Sequence, residues 1–290
     1  MRSSHSLLGE YLRARRESLQ PEEVGLVRSA GRRVPGLRRE EVAALAGVSQ
    51  EYYLRIEQGK DNRPSEQVLR ALARALALDD NGLEYIFRLA RPRPHLYAVE
   101  SRASVADGVR VLLEQWPGTP AYVTDANHNV LASNALAQAI SPALLTPGTN
   151  LLEASFQKYA SFMVDLGQSA EEPEVTAITD AWEKVLRQLI SAMRFNADPD
   201  DPRSRELVTQ LSSRHRVFRR IWAEHDPRWL TSGATRVMVE RFGWVACRWQ
   251  TLGIPNSPGQ FVTTLVAEPG SPAAIAFAEW SGSASDIRRA

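Results

Sequence analysis

Through the first ninety residues apolar positions recur three and four apart, the spacing that gathers side chains on one face of an α-helix. The pattern predicts five helices. Leu7 to Leu19 forms the first. A connection of unusual length follows, QPEEVGLVRSAGRRVPG, where about 2–8 residues is common in small bundles. The second helix spans Leu37 to Ala46, with Val42, Leu45 and Ala46 on one face. The third starts at a Ser49 cap, turns Tyr53 and Ile56 inward, and closes at Gly59 as its C′ residue. Ser65 caps a fourth helix carrying Val68, Leu69, Leu72 and Leu76, and the fifth runs from Asn81 to Ala90. Pro92 and Pro94 then break helical order.

The pattern changes further along. A helix covers Val105 to Gln115, and the alternation in AYVTDANHNVLASN predicts a hairpin from Ala121 to Ser133. Short helices follow at Ala135–Ala139 and Leu151–Tyr159, then a polar loop near Ser169–Pro173. A long amphipathic helix spans Thr179–Phe195. DPDDPRS caps another, and a third carries Phe218, Ile221 and Trp222 and ends near His225. Three strands, Thr235–Glu240, Gly243–Leu252 and Gln260–Ala267, precede a closing helix from Pro272. The fold class expected is an all-α N-terminal helix-turn-helix bundle over 1–92 and a linker over 93–103. An α+β C-terminal domain with an antiparallel sheet follows over 104–290. Its order of hairpin, helices and strands resembles a PAS domain, a fold that commonly holds a ligand between sheet and helices.

Gly47 and the Ser49 cap give the second and third helices the layout that seats a recognition helix in the major groove of DNA. Ser49, Gln50, Glu51, Tyr52 and Arg55 fall on the early, outward part of that helix, where Gln suits adenine, Arg guanine and Glu cytosine. Arg28, Arg32 and Arg33 in the long connection are expected either to form a basic arm suited to phosphate or a minor groove, or to sit in a solvated loop. Arg38 and Arg39 before the second helix, and Lys60, Asn62 and Arg63 after the third, complete the candidate DNA-contacting set. Glu57 is a poor dipole partner for a helix C-terminus and is expected to pair with Arg16.

Composition alters this picture only modestly. The net charge of +1 argues nothing for nucleic acid, yet residues 1–95 hold 17 Lys or Arg against 13 Asp or Glu, so the basic end is the end with the turn. A single cysteine, Cys247, excludes an internal disulfide and fits a reducing cytoplasmic location, and it is expected in the core. No apolar stretch reaches transmembrane length, so no membrane partner is expected.

RRVPGLRREEVAALAGVSQEYYLRIEQGKDNRPSEQVLRALARAL resembles the XRE (Cro/repressor-type) helix-turn-helix and, more narrowly, the MmyB-like regulators. TPAYVTD, NVLASNALA, FRRIWAEHD and LVAEPGSPAA, in that order, are similar to the MltR-type ligand-binding domain that accompanies it. The resemblance covers about 5–285. It implies a homodimeric transcription regulator on double-stranded, palindromic operator DNA. It also implies a PAS-like domain for a small apolar ligand, with a fatty acid as best precedent and no other cofactor. Two departures bear on the pocket: Ser133 stands before Asn134 where the family tends to have Trp, and Glu240 and Arg241 stand near the start of the penultimate strand region, where it tends to have His-Pro.

Six of the seven tryptophans fall between 116 and 249, where they suit a pocket, a core or a dimer interface. Trp182, Trp222 and Trp244 are the pocket candidates, joined by Tyr122, Asn134, Phe156, Leu186 and Phe218. His225 is a candidate for a ligand's polar head. No nucleotide-loop, nucleophile-elbow or zinc-helix motif is present, and the five histidines have no metal-ligand spacing, so neither an enzyme nor a metal site is expected.

Overall fold

The computed structural model describes residues 4–28, 32, 34–60, 63–90, 104–166, 172–198, 200–239 and 242–287. The chain divides into two units. One holds Met1–Leu96 with Pro199–Thr209 and Arg219–Arg228, and the other holds Tyr97–Asp198 with Gln210–Phe218 and Trp229–Ala290. Two short segments from beyond residue 198 therefore group with the N-terminal unit rather than with the domain expected over 104–290. The linker expected over 93–103 lies outside the described residues.

The first unit is built on α1 (Ser4–Ser18), α2 (Arg39–Ala46), α3 (Gln50–Glu57), α4 (Glu66–Ala75) and α5 (Asp80–Ala90). Leu12, Val42, Ile56, Leu69, Leu72 and Ile86 are wholly buried and form its centre. α1 meets the end of α3 backbone to backbone, because a Cβ on Gly9 would lie 2.1 Å from the Glu57 carbonyl oxygen. The long connection contains a 3-10 turn, Pro21–Val24, that apolar spacing does not reveal. Proline fixes its φ, and the Glu23 carboxylate accepts the Gln20 N–H at 2.6 Å. α2 starts two residues later than its apolar pattern suggests. The Leu37 N–H is spent on the Arg16 carbonyl at 2.9 Å, and the Glu41 carboxylate then caps the Arg38 N–H at 2.6 Å.

The second unit opens with α6 (Asp107–Glu114), β1 (Ala121–Asp125), β2 (Val130–Ser133), α7 (Ala135–Ile140) and α8 (Pro142–Leu145). α9 (Leu151–Leu166) and α10 (Glu172–Asn196) follow, then α11 (Pro202–Arg214) and α12 (Arg216–Ala223), which are shared with the first unit. β3 (Ser232–Val239), β4 (Gly243–Gly253), β5 (Gln260–Val266) and α13 (Pro272–Ile287) complete it. The five strands form one antiparallel sheet in the order β2-β1-β5-β4-β3. One face packs Val123, Ala132 and Val262 with Val105 and Leu113 of the α6 region. The other packs Val245, Cys247 and Leu265 with α7 and α13, which places the lone cysteine in the core as expected.

α10 begins at Glu172, not Thr179, so Glu172 and Pro173 are helical where a loop was expected; 169–171 lie outside the described residues. The polar composition misled: glutamates favour a helix N-terminus, and proline is tolerated in a first turn. β3 likewise starts at Ser232, three residues early, because Ser232 pairs with Gln250.

Candidate functional site

Two sites emerge, one in each unit. In the first, α2 ends where Gly47 takes a positive φ of 66° and Val48 donates its N–H to the Ala43 carbonyl at 3.0 Å. Ser49 Oγ then accepts the Tyr52 N–H at 3.1 Å and starts α3. Its far end is closed by Gly59 at φ 67°, with the Lys60 N–H on the Arg55 carbonyl at 2.8 Å. Both ends of the turn and of α3 are thus fixed locally. The helix presents Ser49, Gln50, Glu51 and Arg55 outward, with Tyr52 half-buried, while Tyr53 and Ile56 are buried. Lys60 and Arg63 are exposed beside it; Arg33 and Asn62 lie outside the described residues.

Other predicted contacts are bound into the bundle. Arg32 does not lie in a basic arm free to meet phosphate. Its guanidinium donates to both oxygens of Glu41 at 2.6 Å and to the Gly36 carbonyl, with only 4% of the side chain exposed. The ion pair holds the Glu41 carboxyl below the usual carboxylate range. Arg28 is similarly engaged, on Glu22 at 2.9 Å and on Gln20 at 2.6 Å. Glu57 receives Arg16 at 2.8 Å, the expected brace, and a second arginine that spacing did not suggest, Arg39. Arg39 is therefore a partner of Glu57 first and a surface cation second. Arg38 remains partly exposed and lies 3.3 Å from Glu40.

In the second unit a cavity of about 480 Å³ is lined by α10 and by strands of the sheet. Of the nine ligand candidates, Tyr122, Trp182 and Trp244 line it. The other six do not. Phe156 and Phe218 are wholly buried and meet edge to face at 5.9 Å, and Leu186 is wholly buried as well. They are core. Asn134 is a structural cap: its Oδ1 accepts the Ala121 and Ala137 N–H groups, and its Nδ2 donates to the Trp116 and Thr119 carbonyls at 3.0 and 2.7 Å. Trp222 and His225 group with the first unit. Amphipathic periodicity marks a buried face but cannot say whether that face meets a core or a cavity.

Strand register supplies what periodicity missed. Tyr122 faces Thr263 across β1 and β5, and Thr263 faces Thr251 across β5 and β4, so the three share one face. Tyr122 sits beside Thr263 in that row, and the two threonine hydroxyls lie 2.7 Å apart. Burial pushes the Tyr122 phenol up to about 12, so it stays protonated near neutrality. His128, at φ 64° in the β1–β2 turn, also lines the cavity. Its Nε2 lies 2.8 Å from the Leu189 carbonyl; a carbonyl only accepts, so that nitrogen carries the proton. Burial keeps its pKa below the ordinary histidine value. Trp182 Nε1 is buried in the wall without an acceptor. The lining includes Lys184 and Arg236 but no Asp or Glu among the described residues.

The ligand-binding domain of the MmyB-like transcription regulators matches residues 105–279, which span the hairpin, the helical middle and the final sheet. The chain belongs to this family. A helix-turn-helix domain model matches 7–85, most of α1, the whole of α2 to α4 and the first half of α5. The MmyB-like chain is thus a DNA-binding transcription regulator with a ligand-binding domain, and both families are regulatory rather than enzymatic. No curated protein matches it. Among its described residues no group of three His, Cys, Asp or Glu is placed to hold a metal, and no helix is long and apolar enough to cross a membrane.

Proposed function

We propose that this MmyB-like regulator reads operator DNA with α3 and is controlled by a small, largely apolar ligand with an acidic head, held in the cavity of the second unit. The observation that carries the reading is the cavity itself: aromatic and aliphatic walls, an unpaired Trp182 N–H, two cations and no carboxylate among the described lining residues. Such a lining favours an apolar body and disfavours a cationic one. A fatty-acid-like chain satisfies these minimum requirements. The strand order β2-β1-β5-β4-β3 supports the PAS-like reading of the domain.

At the DNA, Gln50, Glu51 and Arg55 are assigned to base edges, and Ser49, Lys60 and Arg63 to the backbone. Arg38 and Tyr52 flank them. The regulator acts in the cytoplasm as a homodimer on a palindromic operator, with half-sites about one helical turn apart. Control requires that ligand bind the DNA-competent and incompetent states with different affinity. Native mass spectrometry of freshly purified protein tests dimer and retained ligand together. An operator footprint that saturating ligand leaves unchanged would remove the control and keep the DNA binding.

A further inference from the structure

The cavity's polar groups are spread apart: the hydroxyls meet at Thr251 near one end of β4, while Trp182 packs on Trp244 near its other end, and that separation constrains the body that spans them. Tyr122, Thr263 and Thr251 form a row of hydroxyls across β1, β5 and β4. Three hydroxyls carry three hydrogens, and the link between the threonines uses one of them, so up to two donors and several lone pairs remain for a ligand. Trp182 Nε1, on α10, is a second donor with nothing to accept it, in a side chain only 9% exposed. Lys184 lies on the same helix, and Arg236 on β3. A saturated acid has one polar end. Wherever that end binds, the remaining donors face methylenes, and a buried donor left unpaired is costly.

The walls point the same way. Tyr122, Trp182, Trp229, Trp244, Trp249 and Phe261 contribute six aromatic rings. Trp182 and Trp244 meet edge to face at 6.5 Å and 86°. Trp249 lies flat against its cross-strand partner Gly233, where a Cβ would come within 2.6 Å of the indole, so this ring has little room to move. Fixed flat walls stack best on a flat partner, while a flexible chain forfeits rotational freedom against them.

Resting on the ligand-controlled reading above, we propose that the cavity takes an aromatic, ring-based acid bearing a second oxygen, ketone or hydroxyl, remote from its acidic group. It takes such an acid in preference to a saturated acyl chain, which meets the apolar and acidic requirements but leaves the remaining donors facing methylenes. The row of hydroxyls engages one oxygen, and the Trp182 indole with the nearby cations engages the other.

Isothermal titration calorimetry on the full-length protein tests this with anthraquinone-2-carboxylate against tetradecanoate. The aromatic acid is expected to bind about tenfold or more tighter. Trp182→Phe and Tyr122→Phe each remove one donor and keep a ring. Each should weaken the aromatic acid by about three- to tenfold and leave tetradecanoate unchanged or somewhat tighter, at unaltered thermal midpoint. Tetradecanoate binding as tightly as the aromatic acid, or an equal loss for both compounds in the variants, overturns the proposal while ligand control stands. Binding of neither compound also overturns it, and the ligand retained in native mass spectrometry then decides separately whether ligand control fails too.

Discussion

Glu57 shows only 2% of its side chain to solvent and holds Arg16 from α1 and Arg39 from α2. Removing it deprives Arg16, itself 6% exposed, of its buried carboxylate and leaves it only the largely solvated Glu17 at 3.3 Å and the Leu37 carbonyl at 3.0 Å. Glu57→Ala is therefore expected to cost about 3–5 kcal/mol in urea unfolding of the head. Ala77 is a milder case. It ends α4 at φ 47°, with the Leu78 N–H on the Ala73 carbonyl at 2.9 Å, a position where glycine is favoured. Ala77→Gly relieves the Cβ strain at some cost in unfolded-state entropy, for a net gain of about 0.5 kcal/mol by the same measurement. His128 makes stability depend on pH. Its folded pKa is depressed, chiefly by burial, so the unfolded chain binds the proton more readily. Stability is full above the ordinary histidine value of about 6.5 and falls as pH drops below it. Asn tolerates the left-handed backbone there, so His128→Asn should flatten the decline in thermal midpoint between about pH 7 and 5. An equally steep decline in the variant would assign it to other groups.

α3 and the connection before α2 divide the arginines into readers and fasteners. Arg32 is already neutralised by Glu41. Arg32→Ala should leave the slope of log affinity against log salt unchanged, whereas Lys60→Ala should reduce its magnitude by about 0.9. Equal slopes for the two variants would return Arg32 to the phosphate. The helices of the head were legible in sequence because their ends are marked by local chemistry: Ser49 and Ser65 as caps, Gly47 and Gly59 as stops. The hairpin was legible for a similar reason, since Asp125 accepts N–H groups from Asn127 and Asn129 at 2.9 Å within its own turn. The cavity was only partly legible. Thr251 and Thr263 become neighbours of Tyr122 through pairing of strands more than a hundred residues apart in sequence, which no local spacing encodes. Trp222 and Trp182 carry the same amphipathic signal, yet only Trp182 reaches the cavity. Arg32 and Arg39 read as surface cations because their carboxylate partners are nine and eighteen residues away.

At the level of the whole chain, ligand control is a coupling between a helix that reads DNA and a cavity in a separate unit. Such coupling is reciprocal: a ligand that weakens operator binding by some factor is itself bound more weakly by the same factor when operator is present. Calorimetry of ligand with and without saturating operator, set against footprinting with and without ligand, should return one factor. Unequal factors would mean that the two sites are not linked through a shared equilibrium. The placement of the tryptophans gives the molecule its own optical reporter for this linkage. Residues 1–115 contain none, while Trp182, Trp229, Trp244 and Trp249 all border the cavity. Trp222 alone groups with the first unit, so in a Trp222→Phe background ultraviolet emission excited at the indole band originates entirely in the second unit, with no dye attached. A shift in that emission when operator alone is added would be light from the sensing half announcing an event at the reading half.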